Sequence, residues 1–289
     1  MLFRSNPLDW HLLGGTPYLL RLMSGLGAPD DAGLGVDFAG TIEAVGSKVT
    51  RFKPGDAVFG GGNGAFAEYL IIGEDGALAL KPADVSFEQA ASVPIAAVTA
   101  LPALRDIGKL QARQKVLSNG ASGGVGTFPV QLAKSRGAEV PGVCTTRNVQ
   151  MVLSIGADHV FDYKKEDYTE SGQQYDLIID MVGNHSLTAN RRALKPGGIF
   201  VIVGGGKGNW LGPMMTPIKA LMLSPFVDQE FVMILAELRR DDLQVLADLM
   251  QAGKVTPVID SRYRLSELKA AIEHSEDGHT RGKIIIEVQ

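Results

Sequence analysis

The chain is poor in cysteine, in net charge and in unbroken apolar runs, and each shortage removes a class of function. A single cysteine, Cys144, rules out an internal disulfide and a structural zinc site built on cysteines. A small buried hydrophobe is the ordinary role for such a residue. His11, His159, His185, His274 and His279 are scattered and fall in no ligand spacing, so no metal site is expected. The net charge of −4 gives no cationic face for nucleic acid, and no such partner is expected. The apolar stretch from Trp210 to Leu235 is interrupted by Pro213, Pro217, Lys219, Pro225 and Asp228, which excludes a clean membrane span there. It suits a hydrophobic pocket wall or the contact of a homodimer instead. No secretory signal is visible, so the expected compartment is the cytoplasm. The 289 residues, 45% of them hydrophobic, suffice for about two globular domains.

Glycine is plentiful, and one cluster of it organises the chain. An apolar run ends at Asn119, the turn Gly120-Ala-Ser-Gly-Gly-Val-Gly126 follows, and a helical pattern through Val130, Leu132 and Ala133 comes next. That is strand, tight turn, helix. Against G-x-G-x-x-G, Ala121, Gly123 and Gly126 fit, with alanine in the first glycine's place. The residues Gly120, Ala121, Ser122, Gly123, Gly124, Val125 and Gly126 would let the backbone approach a pyrophosphate at a helix N-terminus. A plain tight turn is the competing reading of the glycines alone.

From Lys115 onward strand and helix alternate. Strands are expected at 115–119, 139–144, 159–162, 175–180 and 198–203, and helices at about 126–136, 148–155, 184–194 and 241–252. Right-handed crossovers turn this order into a doubly wound parallel sheet. Gly183 and the run Gly204, Gly205, Gly206 follow two strands, where the sheet's carboxyl ends would meet a ligand, although ordinary turns explain them equally well.

Residues 33–80 read as short strands and turns: Gly35 to Gly40 leading into Thr41 to Val45, a turn at Lys53-Pro-Gly-Asp56, then Val58-Phe59 and Ala65 to Ile72. Ser86 and Gln89 form a capping-box pattern at a helix start. After Gly253 the pattern returns to strand at Val255 to Ile259, helix near Ser266 to Glu276, and strand at Lys283 to Val288. Met1 to Ser5 shows no strand pattern.

Cofactor choice is readable at the end of the second strand of the alternating region. NAD-binding units place a carboxylate there, roughly 20 residues past the glycine turn, to hold the ribose hydroxyls. This chain has Val143-Cys-Thr-Thr-Arg-Asn148 and no carboxylate. Thr145 and Thr146 offer hydroxyls, Arg147 a charged planar fork suited to phosphate oxygens, and Asn148 a helix cap within reach of the same group. NADPH (NADP+) is therefore the expected cofactor.

Several segments taken together resemble the zinc-independent medium-chain dehydrogenase/reductase superfamily, in its quinone-oxidoreductase-like and reticulon-interacting-protein-like branch. They are Asn6-Pro-Leu-Asp9, Leu34 to Gly40, Phe52 to Val58, Phe66-Ala-Glu-Tyr69, Asn119 to Gly126, Gly156-Ala-Asp158 with Asp162-Tyr163, and Arg281-Gly-Lys283. The resemblance implies an α/β protein with a GroES-like β-rich catalytic domain over 1–84 and 255–289. A Rossmann domain over 85–254 would be inserted in it, with the active site in the cleft between the two.

It also implies the chemistry: a nicotinamide hydride passed to a quinone or an α,β-unsaturated carbonyl compound, without metal. Asn6 and Thr99 would lie by the nicotinamide and His11 by the substrate pocket; Tyr163, Val182 and Lys283 join the cofactor-facing set. Asp9 and Asp37 are read as structural turn ligands. A non-catalytic NADPH-binding protein and an inactive truncated fragment are the rival readings.

Gly35-Val36-Asp37 stands where zinc-dependent relatives carry Gly-His-Glu, which argues against metal. Three departures from the family pattern accompany this. Family members have further strands ahead of Asn6, so a truncated gene model with an artefactual start and an exposed sheet edge is expected. Pro129 and Pro141 fall within an expected helix and strand, where each deletes a backbone donor, so replacing either is expected to raise the melting temperature.

Overall fold

The computed structural model describes residues 2–5, 33–204, 218, 220 and 227–288. Asn6, His11 and Gly205, named above, lie outside them, as does most of the 210–226 stretch. The elements begin with β1 (Leu2–Ser5), β2 (Asp37–Thr41), β3 (Ala57–Gly61), β4 (Leu78–Leu80), α1 (Phe87–Ala91) and α2 (Pro94–Pro102), which runs into a wide π turn over Ala103–Ile107. Then come β5 (Val116–Asn119), α3 (Thr127–Ser135), β6 (Pro141–Cys144), α4 (Val149–Ser154), β7 (His159–Asp162), β8 (Tyr175–Asp180), α5 (Leu187–Ala193), β9 (Leu194–Ile202) and β10 (Glu230–Met233). The chain closes with α6 (Arg240–Gln251), β11 (Ile259–Arg264), α7 (Leu268–Glu276) and β12 (Lys283–Glu287).

Two compact units result. Residues 2–5, 33–98 and 236–288 make one, and 99–204 with 227–235 the other. The first holds a six-stranded mixed sheet in the order β11-β12-β1-β2-β3-β4. Phe3, Phe38, Val58, Leu78, Ile284 and Ile286 form its core. The second holds a six-stranded sheet, parallel throughout, in the order β10-β9-β8-β5-β6-β7. Chain order reverses direction between β5 and β8, which is the switch point where open parallel sheets bind ligands at their carboxyl ends. β5 and β6 are buried at every position, as strands of an all-parallel sheet covered on both faces are.

Local chemistry explains most boundaries. Ser86 Oγ accepts from the Gln89 amide at 3.1 Å and Gln89 Oε1 from the Ser86 amide at 2.9 Å, the capping box expected at the start of α1. Gly55, at φ +92°, closes the turn from Lys53, with the Asp56 amide donating to the Lys53 carbonyl. Asp37 is fully buried, and its Oδ1 accepts from the Ile95 amide at 2.9 Å, anchoring the start of α2 in the structural role read from sequence.

Four strand expectations are corrected. Leu2–Ser5 is a strand after all, paired with β12 on one side and β2 on the other, with Phe3 fully buried. The strand expected over Thr41 to Val45 stops at Thr41. Its partner has reached the Lys53 turn, and Ile42 bonds to Asp56 and Gly55 instead. Ala65 to Ile72 forms no strand: two bonds to Gly35 and Leu34 are followed by a tight Ala67–Ala65 turn. The alternation there is real, since Phe66, Leu70 and Ile72 pack on the core while Tyr69 and Ile71 are exposed, but the backbone follows no ladder. Val255 spends its amide on the Leu249 carbonyl at the end of α6, so the strand expected from Val255 begins only at Ile259.

The prolines sit where a missing donor matters little. Pro129 is the third residue of α3, among the first four amides that have no partner within a helix, and Pro141 opens β6. The expected gain from replacing them therefore loses its physical basis. Strand β10, along the edge beside β9, has no sequence signal of its own.

Candidate functional site

The glycine turn sits on the carboxyl end of β5, beside the switch point. Gly120 has φ +90°, a conformation that disfavours any side chain. The Gly120 and Ala121 amides donate to the Val143 carbonyl at 3.2 and 2.9 Å, fastening the turn to β6. Gly126 comes so close that a Cβ would lie 2.0 Å from the Gly120 carbonyl oxygen, so only glycine lets α3 start there. Gly123 is different: its nearest neighbour would stand at 3.4 Å, with the rest of the space open. Ala121 replaces the usual first glycine because its partner made room. A Cβ on Gly142 in β6 would meet the Ala121 methyl at 2.9 Å.

This cradle fits a pyrophosphate. Among the described residues the Gly124 and Val125 amides have no backbone acceptor, and no side chain caps the start of α3. Unsatisfied amides at a helix N-terminus are anion donors. Thr127 Oγ1, at the first helical position, is buried without a hydrogen-bond partner among the described residues. Asn148 is buried and donates from Nδ2 to Ser122 Oγ at 2.9 Å, tying the turn to the segment after β6.

That segment meets a carboxylate from the next strand, in a role the sequence reading did not give it. Thr146 Oγ1 donates to Asp162 Oδ2 at 2.6 Å, across from the end of β6 to the end of β7. The Thr146 bond, the Lys164 amide and Lys165 at 3.3 Å hold Asp162 below the usual carboxylate range. Thr146 has therefore committed its hydroxyl proton. Thr145 is half-buried, while Arg147 and Tyr163 are exposed; the Tyr163 amide donates to the Cys144 carbonyl at 3.1 Å. Burial, with Asp162 nearby, pushes the Cys144 thiol up to about 11, which fits an inert packing residue.

The loops after β8 and β9 complete the same edge. Val182 is exposed, Gly183 has φ +68°, and Gly204 lies so near Met181 that a Cβ would be 2.2 Å from its carbonyl oxygen. Asp180, Asn119 and Asn184 form a buried-to-exposed polar network between these loops. Sequence reasoning missed it, although each of the two strands visibly ends its apolar run on a polar residue.

Of the remaining candidates, Thr99 is buried in α2 and Lys283 is fully buried in β12 of the first unit. An open hollow of about 830 Å³ in that first unit is lined by polar and apolar surface in similar measure, and its charged lining residues are Glu43, Glu68 and Glu74. It offers no donor cluster for an anion, so the chemistry is sought at the glycine turn. Among the described residues no three His, Cys, Asp or Glu side chains assemble into a group that could hold a metal ion.

Comparison with known proteins agrees with this geometry. Residues 3–82 match the family model described as alcohol dehydrogenase GroES-like domain, and residues 155–286 the one described as zinc-binding dehydrogenase. The zinc of the second description finds no donor set among the described residues. The chain is 33% identical over 299 residues to the chloroplast envelope quinone oxidoreductase homolog of Arabidopsis thaliana, covering 98% of this chain and 86% of that protein. The structure of the quinone oxidoreductase from Coxiella burnetii superposes with a TM-score of 0.87 at 29% identity, over 100% of this chain and 88% of that one. The Escherichia coli quinone oxidoreductase, solved in complex with NADPH, gives a TM-score of 0.83 at 26% identity, over 99% and 89% of the two chains.

Proposed function

The chain belongs to the medium-chain dehydrogenase/reductase superfamily, as a pyridine-nucleotide-dependent oxidoreductase of the quinone-oxidoreductase-like family, and from that premise we propose that it uses NADPH to reduce a quinone or an α,β-unsaturated carbonyl compound without metal. The observation that carries the reading is the cradle after β5, where Gly120 and Gly126 press together and the Gly124 and Val125 amides are left without backbone acceptors. In this proposal those amides bind the pyrophosphate. Arg147, Thr145 and Tyr163 bind the adenosine 2′-phosphate, while Thr146 orients that segment through Asp162. The nicotinamide, when bound, supplies the hydride. Val182, Gly183 and Gly204 shape the loops around it; Gly205 enters from its place in the sequence, and Asn6, His11, Thr99 and Lys283 from the family resemblance alone.

Calorimetric titration of the protein with NADPH and with NADH tests the cofactor choice. Charge-assisted bonds to a phosphate contribute ~1.5–3 kcal/mol each, so NADPH is expected to bind at least about tenfold more tightly. Arg147→Ala is expected to remove most of that preference and leave NADH binding nearly intact. Equal affinity of the unmodified protein for the two nucleotides contradicts the assignment.

A further inference from the structure

Resting on that reading, we propose that the buried pair Asn119 and Asp180 is a positioning device, setting the glycine turn, the 181–184 loop and the end of β9 against one another so that a nucleotide can be held. The two residues end neighbouring strands and lie opposite each other in register. Both are 2% exposed. Asp180 Oδ1 accepts from Asn119 Nδ2 at 2.8 Å, from the Val182 amide at 2.9 Å and from the Gly183 amide at 3.0 Å. Among the described residues no Lys or Arg pairs with Asp180; N–H dipoles alone carry its charge, and such charge-assisted bonds are the strong ones.

Each residue also works through its backbone. The Asp180 carbonyl accepts from the Val203 and Gly204 amides at 2.9 and 3.1 Å, and the Asn119 carbonyl accepts from the Met181 amide at 3.1 Å. The second Asn119 Nδ2 proton goes to Asn184 Oδ1 at 2.8 Å. The pair thus reaches all three loops. The tolerance is small: a Cβ on Gly120 would meet Val182 Cγ2 at 2.9 Å, so the 181–184 loop already abuts the turn. Asp180 Oδ1 takes all three donors at once, so the arrangement needs a donor at 119 and an acceptor oxygen at 180, with the carboxylate's charge strengthening each bond.

Removal of either partner is the test, read as dissociation constants for NADPH and NADH together with the melting temperature. Asp180→Ala removes the shared acceptor and Asn119→Asp sets two carboxylates against each other, whereas Asp180→Asn keeps an Oδ1 for the same three donors and loses only the charge. Asp180→Ala and Asn119→Asp are each expected to weaken both nucleotides by about tenfold or more, the loss that follows when a buried charge-assisted partner is spoiled, with their ratio unchanged. Asp180→Asn, the conservative rescue, is expected to bind both nucleotides at least about threefold more tightly than Asp180→Ala. Asn119→Ala, which removes the bridge without adding a charge, serves if Asn119→Asp does not fold, and it too must weaken both nucleotides. Asp180→Ala or an Asn119 variant that melts earlier yet binds both nucleotides normally overturns the proposal, as does Asp180→Asn binding no tighter than Asp180→Ala. An unmodified protein that binds neither nucleotide overturns the functional reading itself, a result distinct from these.

Discussion

Adding one methyl group at two glycines three residues apart separates the fold from the site. At Gly126 the backbone φ is −59°, comfortable for alanine, so Gly126→Ala tests contact alone. Its Cβ would stand 2.0 Å from the Gly120 oxygen, 2.7 Å from the Gly120 carbonyl carbon and 3.0 Å from the Ala121 Cα. All three are backbone atoms and cannot rotate away. Overpacking of this kind costs about 1–3 kcal/mol, and no helix propensity offsets it, because Gly126 is the N-cap, where alanine is no better than glycine. A midpoint lowered by a few degrees, up to about 8 °C, is expected in a thermal melt without nucleotide. At Gly123 the nearest atom is 3.4 Å away, so Gly123→Ala is expected to melt within about 2 °C of the parent. Its methyl, however, stands in the open side of the turn beside the Gly124 and Val125 amides. NADPH binding by titration is expected to weaken at least about tenfold, since the phosphate needs close backbone approach there. Gly123→Ala binding NADPH like the parent, or Gly126→Ala melting like it, refutes the reasoning.

Two further outcomes are expected in thermal melts. The Arg262 side chain donates to both Glu88 oxygens, at 2.6 and 2.8 Å, and holds that carboxyl below its usual range. A depressed folded-state value gives stability that is present above the unfolded carboxyl value of about 4.3 and is lost as pH falls through the folded one. Glu88→Gln should therefore melt earlier near neutrality and lose less than the parent on acidification below about pH 4; parallel profiles contradict this. Pro129→Ala should move the midpoint by less than about 2 °C, because the missing amide is one that a helix start leaves unpaired; a rise beyond that would show a donor was wanted there.

The parallel sheet was legible because strands buried on both faces are largely apolar and their boundaries carry glycine. Asp176 to Asp180 and the run ending at Asn119 needed no other signal. The first unit was read less well. Phe66, Leu70 and Ile72 alternate as a strand would, yet an alternating side-chain pattern does not guarantee a partner for the backbone. Conversely, Leu2–Ser5 is too short to show a period, and only its two neighbours make it a strand. In the site, local spacing revealed the glycines and the Thr145 to Asn148 segment. It could not reveal Asp162 beside Thr146, or Asp180 beside Asn119, because those pairs are 16 and 61 residues apart and meet only through strand order. Gly142 belongs to the same class: its lack of a side chain is what allows alanine at 121.

The proposed reaction, NADPH held at the β5 turn and oxidised by an electrophilic carbonyl system, is measured most directly as the loss of NADPH absorbance on adding a small quinone and, separately, an α,β-unsaturated ketone. Parallel runs use the parent and Gly123→Ala after chelator treatment. NADPH oxidation is expected to depend on both protein and acceptor, to survive the chelator, and to fall at least about tenfold in Gly123→Ala at subsaturating NADPH. NADPH that binds the parent tightly yet is consumed with no acceptor of either class, or turnover abolished by the chelator, contradicts it.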